Sequence, residues 1–84
     1  TEPVRYKVIF INDDATPMDW VLEVLTGIFK HSAESAEKLM IQIHTEGSGC
    51  VGIYTYEVAE QKAVEATTAS RERGYPLQIK VEEE

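Results

Sequence analysis

Three consecutive polar residues, Asn12, Asp13 and Asp14, follow an apolar segment and could together bind a cation. Their side chains supply a carboxamide and two carboxylates, which accept hydrogen bonds and carry negative charge. Met18 comes shortly afterwards, at an expected helix start, so an apolar wall would lie beside this anionic turn. Because one side chain is enough to cap a helix, the additional acceptors exceed what local structure requires. The cation that this combination favours is the α-ammonium group of a peptide.

Two other interpretations of the turn are open. Asp and Asn favour turns, and negative charge stabilises a helix N-terminus, so the three residues could simply be the approach to a helix. A calcium-binding loop is disfavoured, because the spaced aspartates and the distal glutamate of such loops are absent.

His44 is a second candidate, since it lies four residues after Met40 and would neighbour it on a helix. Its imidazole could stand at the rim of a pocket floored by Met40 and Ile43, or it could complement the dipole of a helix C-terminus. Methionines in an apolar stripe are usually core residues, but thioethers also line adaptable binding surfaces. A metal site is not expected, because no H-x-x-x-H or C-x-x-C spacing occurs. Cys50 and His44 lack a third group to orient the imidazole, so no catalysis is expected.

The bulk composition narrows the function classes. A chain of 84 residues makes one domain, and such a domain hides only about 60% of its unfolded surface, which leaves little room for an enzyme cleft. The net charge of −7 argues against nucleic acid and fits a cationic partner. We expect the acidic tail, residues 82–84, to be a solvated end. Neither a cofactor, a signal peptide nor a membrane-spanning segment is expected.

Hydrophobic periodicity predicts the element order β-α-α-β-α-β, in which helices cover one face of a sheet as two layers. Strand one would place alternate side chains on its two faces, and the third helix would have a mostly small inner face (Val58, Ala59, Ala63, Ala66 and Ala69). The predicted strands are 4–11, 50–54 and 77–81, and the predicted helices are 17–30, 33–46 and 56–73. In strand one, one face would carry Val4, Tyr6, Val8 and Phe10, and the other Arg5, Lys7, Ile9 and Ile11.

Cap residues predict where the helices begin and end. Thr16 would cap helix one, with Pro17 in its first position and Asp19 completing a capping pattern. The other expected caps are Ser32 and Thr55 at helix starts, and Gly47, Gly49 and Gly74 at helix ends.

The ordered motifs resemble the ClpS family of adaptor proteins over essentially the whole chain, from Tyr6 to Val81. Residues 1–5 would be the remnant of an N-terminal extension and the start of the first strand, and residues 6–84 the ClpS-like core. The motifs that carry the resemblance are Tyr6-Lys7-Val8-Ile9, Asn12-Asp13-Asp14, Thr16-Pro17-Met18, the Met40 and His44 pair, Thr55-x-Glu57-Val58-Ala59-Glu60-x-Lys62, and Pro76-Leu77.

This resemblance implies a non-enzymatic adaptor with an antiparallel three-stranded sheet. It would bind the free α-amine and bulky first side chain (Phe, Tyr, Trp or Leu) of N-degron substrates, and deliver them to the N-terminal domain of a ClpA-type AAA+ unfoldase of the Clp protease. A monomer in a bacterial cytoplasm is expected, and the lone cysteine, Cys50, fits a reducing compartment. The implied residues are Asn12, Asp13 and His44 for the amine, Asp14 and Thr16 for the turn, Met18, Val21, Met40, Ile43 and Leu77 for the side-chain pocket, and Glu57 and Lys62 for the unfoldase-facing surface.

Some positions depart from the family's usual forms. Ala15 is small where an aromatic is common, Ile43 stands where valine is common, and Trp20 replaces the usual phenylalanine. The first two leave the ranking among Phe, Tyr, Trp and Leu open. An alternative of another class is an interaction module like the C-terminal domain of the ribosomal stalk, which shares this element order, although this acidic chain lacks the basic helical face such a module would use.

Overall fold

The computed structural model describes residues 3–84, in which three strands and three helices follow the predicted order. The strands form one antiparallel sheet with β1 in the centre, in the order β2-β1-β3. The fold class and the antiparallel pairing are therefore as predicted. The elements are β1 (Tyr6–Ile11), α1 (Met18–Gly27), α2 (Ala33–Glu46), β2 (Ser48–Tyr54), α3 (Tyr56–Glu72) and β3 (Gln78–Glu83).

The core lies between the sheet and the helices. Val8 and Phe10 of β1, which the alternation places on one face, are both fully buried. The Phe10 ring packs edge-on against Phe29, with 5.4 Å between the ring centroids. Strand one was predicted to begin at Val4, but β1 begins at Tyr6 and Val4 is 55% exposed, so the predicted start was wrong.

Several strand boundaries differ from the prediction because pairing extends them. β2 begins at Ser48 instead of residue 50, since Ser48 pairs with Ile11 across the sheet. β3 continues to Glu83, which pairs with Tyr6. The acidic tail is consequently not a free end, and the Glu84 carboxylate forms a two-bond ion pair with Arg5 at 2.7 and 2.9 Å.

The ends of the helices follow their caps. Ser32 accepts a hydrogen bond from the Ser35 backbone N–H, and Gly47 ends α2 in the left-handed region at φ 92°, as predicted. Gly49 does not end a helix, because it is a buried residue of β2. α1 stops at Gly27 instead of residue 30, and Lys30 adopts a left-handed φ of 60° that a continuing helix does not allow.

α3 approaches the sheet through small residues, since Ala59, Ala63 and Ala66 are buried. Val58 is 39% exposed and does not belong to this inner face, contrary to the prediction. Ser70, which the sequence did not single out, is fully buried and accepts a hydrogen bond from the Trp20 indole at 2.9 Å. Its hydroxyl in turn donates to the Ala66 carbonyl, so α1 and α3 are joined by a satisfied polar contact.

Residues 3–5 precede β1, and the first two residues of the predicted N-terminal remnant lie outside the described part of the chain. Within residues 3–84 no helix has both the length and the apolarity that crossing a bilayer requires.

Candidate functional site

The turn between β1 and α1 is organised by the carboxylate of Asp13. Its Oδ1 accepts hydrogen bonds from the backbone N–H of Ala15 and of Thr16 at 2.8 and 2.7 Å, and its Oδ2 accepts one from the Thr16 hydroxyl at 2.8 Å. The N-cap of α1 is Pro17, which makes no side-chain capping bond. The predicted Thr16 cap is therefore wrong, because Thr16 turns back toward Asp13. The interpretation that Asp13 exceeds what the local structure requires is also wrong, because its three hydrogen bonds form the turn.

These hydrogen bonds also set the charge of Asp13. Partial burial raises the pKa of this carboxyl, but the bonds from the Thr16 hydroxyl and from the Thr16 and Ala15 N–H groups outweigh burial, and the positive charge of Arg71 adds to them. The pKa of Asp13 consequently lies below its ordinary value of 3.8. At neutral pH the turn therefore presents a carboxylate anion.

The depressed pKa predicts how the stability of this turn responds to acid. A carboxyl whose pKa is lowered by folding stabilises the native state above its unfolded pKa, and that contribution is lost as the pH falls through the folded pKa. Asp13→Asn removes the titration while keeping an oxygen acceptor for the turn. We expect wild type to be more stable than Asp13→Asn at about pH 6, and the difference in Tm to shrink as the pH falls to about 2.

Thermal unfolding by circular dichroism across this pH range measures the difference. Asp14→Asn is the matched control, since that exposed carboxylate is not part of the hydrogen-bonded turn. A Tm difference for Asp13→Asn that stays constant from about pH 6 to about pH 2 would contradict the assignment.

A backbone contact brings the turn next to the end of α2. The Gly47 N–H bonds the Ile43 carbonyl to close the helix, and the Gly47 carbonyl accepts from the Asn12 N–H at 2.9 Å. The end of β1 is thereby held against the C-terminus of α2, the turn of helix that carries His44. The anionic turn thus lies next to the helical turn that carries His44 because Gly47, between α2 and β2, adopts the left-handed conformation.

A cavity of about 250 Å³ opens where the turn, α1 and α2 meet, and we call it the α1–α2 cavity. We call its polar lining, from the turn and His44, the polar end, and its aliphatic and thioether lining, from α1 and α2, the apolar end. All the predicted amine, turn and pocket residues except one lie in its wall. The lining residues are Asn12, Asp13, Asp14, Thr16, Met18, Val21, Met40, Ile43 and His44.

The walls differ in burial in a way that suits a binding site. Val21 and Ile43 are 8% and 3% exposed, so they form a fixed apolar floor. Met18 is 45% exposed and His44 is also exposed, so the mouth is open to solvent. A ligand that carries a cation and an apolar group on neighbouring atoms would satisfy both ends at once.

Two other depressions are larger, but neither combines these chemistries. One of about 500 Å³ lies between the chain ends, lined by Pro3, Val4, Arg5 and Glu84. Another of about 560 Å³ lies on the outer face of the sheet, beside Ile9 and Ile11. Size alone is therefore a poor guide here, and the α1–α2 cavity is the better candidate because its polar and apolar walls converge.

Leu77 was predicted to line the side-chain pocket, and the structure places it directly before β3. Its side chain is 1% exposed, belongs to the main core and does not contribute to the cavity wall. The reason is its position directly before β3, which points it between the sheet and the helices. The Leu77 carbonyl is held by the Arg71 guanidinium at 2.9 Å.

The two residues expected on an unfoldase-facing surface lie in different environments. Glu57, in the first turn of α3, is exposed. The Lys62 ammonium instead donates to the Ile28 carbonyl at 2.8 Å and lies 5.6 Å from the centre of the Tyr54 ring. Lys62 therefore joins α3 to the end of α1, a contact that the sequence did not indicate.

The remaining reactive side chains are engaged in structure. The Cys50 thiol lies 3.5 Å from the Gly52 carbonyl. His31 Nε2 lies 2.6 Å from the Val51 carbonyl, which can only accept, so this nitrogen carries a proton and ties the α1–α2 loop to β2. Among residues 3–84, no group of three or more His, Cys, Asp and Glu side chains is placed to hold a metal ion.

Comparisons with known proteins agree on one family. The family model for the ATP-dependent Clp protease adaptor protein ClpS matches residues 1–80. The ClpS adapter protein of Treponema denticola is 49% identical over 81 residues, which are 96% of this chain and 80% of that protein. The ClpS adapter protein of Campylobacter jejuni is 49% identical over 84 residues, which are all of this chain and 88% of that protein. These relatives are named as adaptors and not as enzymes.

A solved structure shows the same fold. Agrobacterium tumefaciens ClpS2 bound to L-phenylalaninamide is similar with a TM-score of 0.95 and 38% sequence identity, covering 99% of this chain and all of that one. The predicted family resemblance is therefore confirmed, and these matches favour it over the ribosomal-stalk alternative.

Proposed function

The chain belongs to the ClpS family of ATP-dependent Clp protease adaptors, and on that premise we propose that it binds the first residue of N-degron substrates in the α1–α2 cavity. It would accept a free α-amine together with a bulky Phe, Tyr, Trp or Leu side chain. The observation that carries this proposal is the convergence of an anionic turn and an apolar floor in one cavity.

The ligand of the Agrobacterium tumefaciens relative has the chemistry that this cavity suits. L-phenylalaninamide carries an ammonium group and a benzyl side chain on one carbon, and its amide end mimics the continuation of a peptide. An N-terminal residue is the only residue of a polypeptide that carries such an ammonium group beside its own side chain. A site that fits both groups would therefore recognise the N-terminal position of a residue as well as its side chain.

We assign the polar end of the cavity to the ammonium group. Asn12 and His44 each have an acceptor to offer, and Asp13 supplies a carboxylate with four acceptor positions, three of which are used within the turn. His44 would have to be neutral to accept a hydrogen bond, because a protonated imidazole only donates. Asp14 would add negative charge at the exposed rim, and Thr16 would hold the carboxylate of Asp13 in place.

We assign the apolar end to the first side chain, with Met18, Val21, Met40 and Ile43 as its wall. Burying a large apolar side chain is worth about 1.5–3 kcal/mol. An internal Phe or Leu would place no ammonium at the polar end, and leaving desolvated acceptors unpaired costs about 1–3 kcal/mol each. The two ends together would thus discriminate against internal positions.

We further propose that the bound substrate is delivered to a ClpA-type unfoldase in a bacterial cytoplasm. The family name supports a Clp protease as the destination, and the relatives come from bacteria. Glu57 is exposed at the start of α3 and could contact the unfoldase directly. Because its ammonium group is used internally, Lys62 would contribute to this surface by holding α3 against the end of α1.

A peptide panel that varies only in the first residue tests the proposed function. Fluorescent peptides that begin with Phe, Tyr, Trp or Leu should bind at least about tenfold more tightly than the same peptides beginning with Ala, Ser or Glu, since the apolar floor would otherwise stay empty. Fluorescence anisotropy measures the affinities.

The matched control keeps the composition and moves the aromatic residue to the second position behind a glycine. This shifted peptide should bind as poorly as an Ala-first peptide. Equal affinities for the Phe-first and the shifted peptide would rule out recognition of the N-terminal residue.

A further inference from the structure

Gly49 is a buried residue of β2 that lies directly behind the α1–α2 cavity. It pairs with Phe10 across the sheet, on the face toward the helices. Its backbone is not in the left-handed region, which among the described glycines is adopted by Gly47 and Gly74. The backbone conformation therefore does not require a glycine here. The glycine is instead explained by the lack of room for a side chain.

The space behind Gly49 is taken by a wall residue of the cavity. A Cβ at position 49 would lie 3.0 Å from Cγ1 of Ile43, and 3.6 and 3.7 Å from atoms of the Gln42 side chain. A carbon–carbon contact of 3.0 Å is well inside the optimal separation of about 3.5–4.0 Å. The absence of a side chain at Gly49 thus lets Ile43 lie close against the strand.

Ile43 separates Gly49 from the cavity. Its side chain is 3% exposed, belongs to the core cluster and also lines the cavity. Because protein cores are close-packed, a side chain pushed away from β2 can move only toward open volume. The cavity is that open volume, so any atom added at Gly49 would raise the cavity floor through Ile43.

We propose that Gly49 determines specificity by setting the depth of the side-chain pocket through Ile43, an inference that rests on the proposed function. An indole or benzyl ring is rigid and reaches farther from the α-carbon than an isobutyl group. A raised floor therefore excludes Trp and Phe more strongly than Leu. Gly49 acts through Ile43 and does not itself touch the ligand.

The experiment compares Gly49→Ala with wild type on Trp-first, Phe-first and Leu-first peptides of otherwise identical sequence. We expect the ratio of the Trp-first to the Leu-first affinity to fall about tenfold, in line with the usual cost of overpacking. Gly27→Ala is the matched control, because a Cβ at that helical position has no neighbour within 4 Å, so its ratio should equal that of wild type.

A double variant tests whether Gly49 acts on the pocket through Ile43. Gly49→Ala combined with Ile43→Val removes the δ-methyl that a displaced Cγ1 would carry into the cavity, so the ratio should return toward the wild-type value. A Gly49→Ala protein that is folded by circular dichroism and keeps the wild-type ratio would overturn the proposal, and so would an equal loss for all three peptides.

If Gly49→Ala does not fold, Ile43→Val alone gives the decision. Deleting the δ-methyl should lower the floor and raise the Trp-to-Leu ratio, and an unchanged ratio would overturn the proposal. These outcomes are distinct from a failure of the proposed function, in which wild type itself would show no preference for the first residue.

Discussion

N-acetylation of a Phe-first peptide should abolish its measurable binding to this protein. The acetyl group removes the positive charge and most of the donor capacity of the amine, while the acceptors of Asn12, Asp13 and His44 stay at the polar end of the cavity. Desolvated acceptors left without a donor cost about 1–3 kcal/mol each, so we expect a total loss of at least about 3 kcal/mol. That corresponds to a decrease in affinity of about two orders of magnitude or more.

Fluorescence anisotropy with the free and the acetylated peptide measures this loss. A peptide acetylated on a lysine side chain near its C-terminus is the control, since it removes one charge from the ligand without altering the first residue. If the N-acetylated and the free peptide bound equally, the polar end of the cavity would not be an amine site, and the proposed function would be wrong.

Met18→Ala should admit Ile-first and Val-first peptides while retaining Leu-first and Phe-first peptides. Met18 is the first residue of α1, lines the cavity beside the anionic turn and is 45% exposed, so it is not an ordinary core residue. Once the ammonium is bound at the turn, its side chain would crowd the β-carbon of the first residue. Ile and Val branch at that carbon, whereas Leu and the aromatic residues branch one atom later.

The relief on shortening Met18 should be about 1–3 kcal/mol, the usual cost of overpacking. The affinities for Leu-first and Ile-first peptides in both proteins give the ratio that tests this role, with circular dichroism as the folding check. Ile41→Ala is the matched control, because Ile41 is an exposed apolar residue of α2, 51% accessible, that is not part of the cavity wall. A Leu-to-Ile ratio that does not shrink in folded Met18→Ala would assign the selectivity to other residues.

Local sequence was sufficient to predict the order of the helices and strands and most of the residues of the cavity wall. Alternation in β1 and a helical stripe in α2 depend on near neighbours. Periodicity alone therefore placed Val8 and Phe10 on one strand face and Ile43 in the inner stripe of its helix, and all three are buried. The left-handed ends at Gly47 and Gly74 were predictable for the same reason, because a glycine without a Cβ adopts this conformation at little cost.

One error arose where a residue had two possible hydrogen-bond partners. Thr16 has the sequence context of a helix cap, but its hydroxyl and N–H both bond to Asp13, because a cap is one of several local hydrogen bonds that compete for the same side chain. Local patterns do not decide between such alternatives.

What the sequence determined by itself is the family, the order of the elements and most of the residue types that line the α1–α2 cavity. What only the tertiary structure decided is how those residues are assembled. The Asn12–Gly47 backbone contact joins the turn to α2, and the absent side chain of Gly49 sets how far Ile43 withdraws from the cavity. Both depend on contacts between segments that are distant along the chain. Periodicity carries no information about differences of a few tenths of an ångström in the distances between such segments. Packing carries that information, because in a close-packed core one added carbon must displace another.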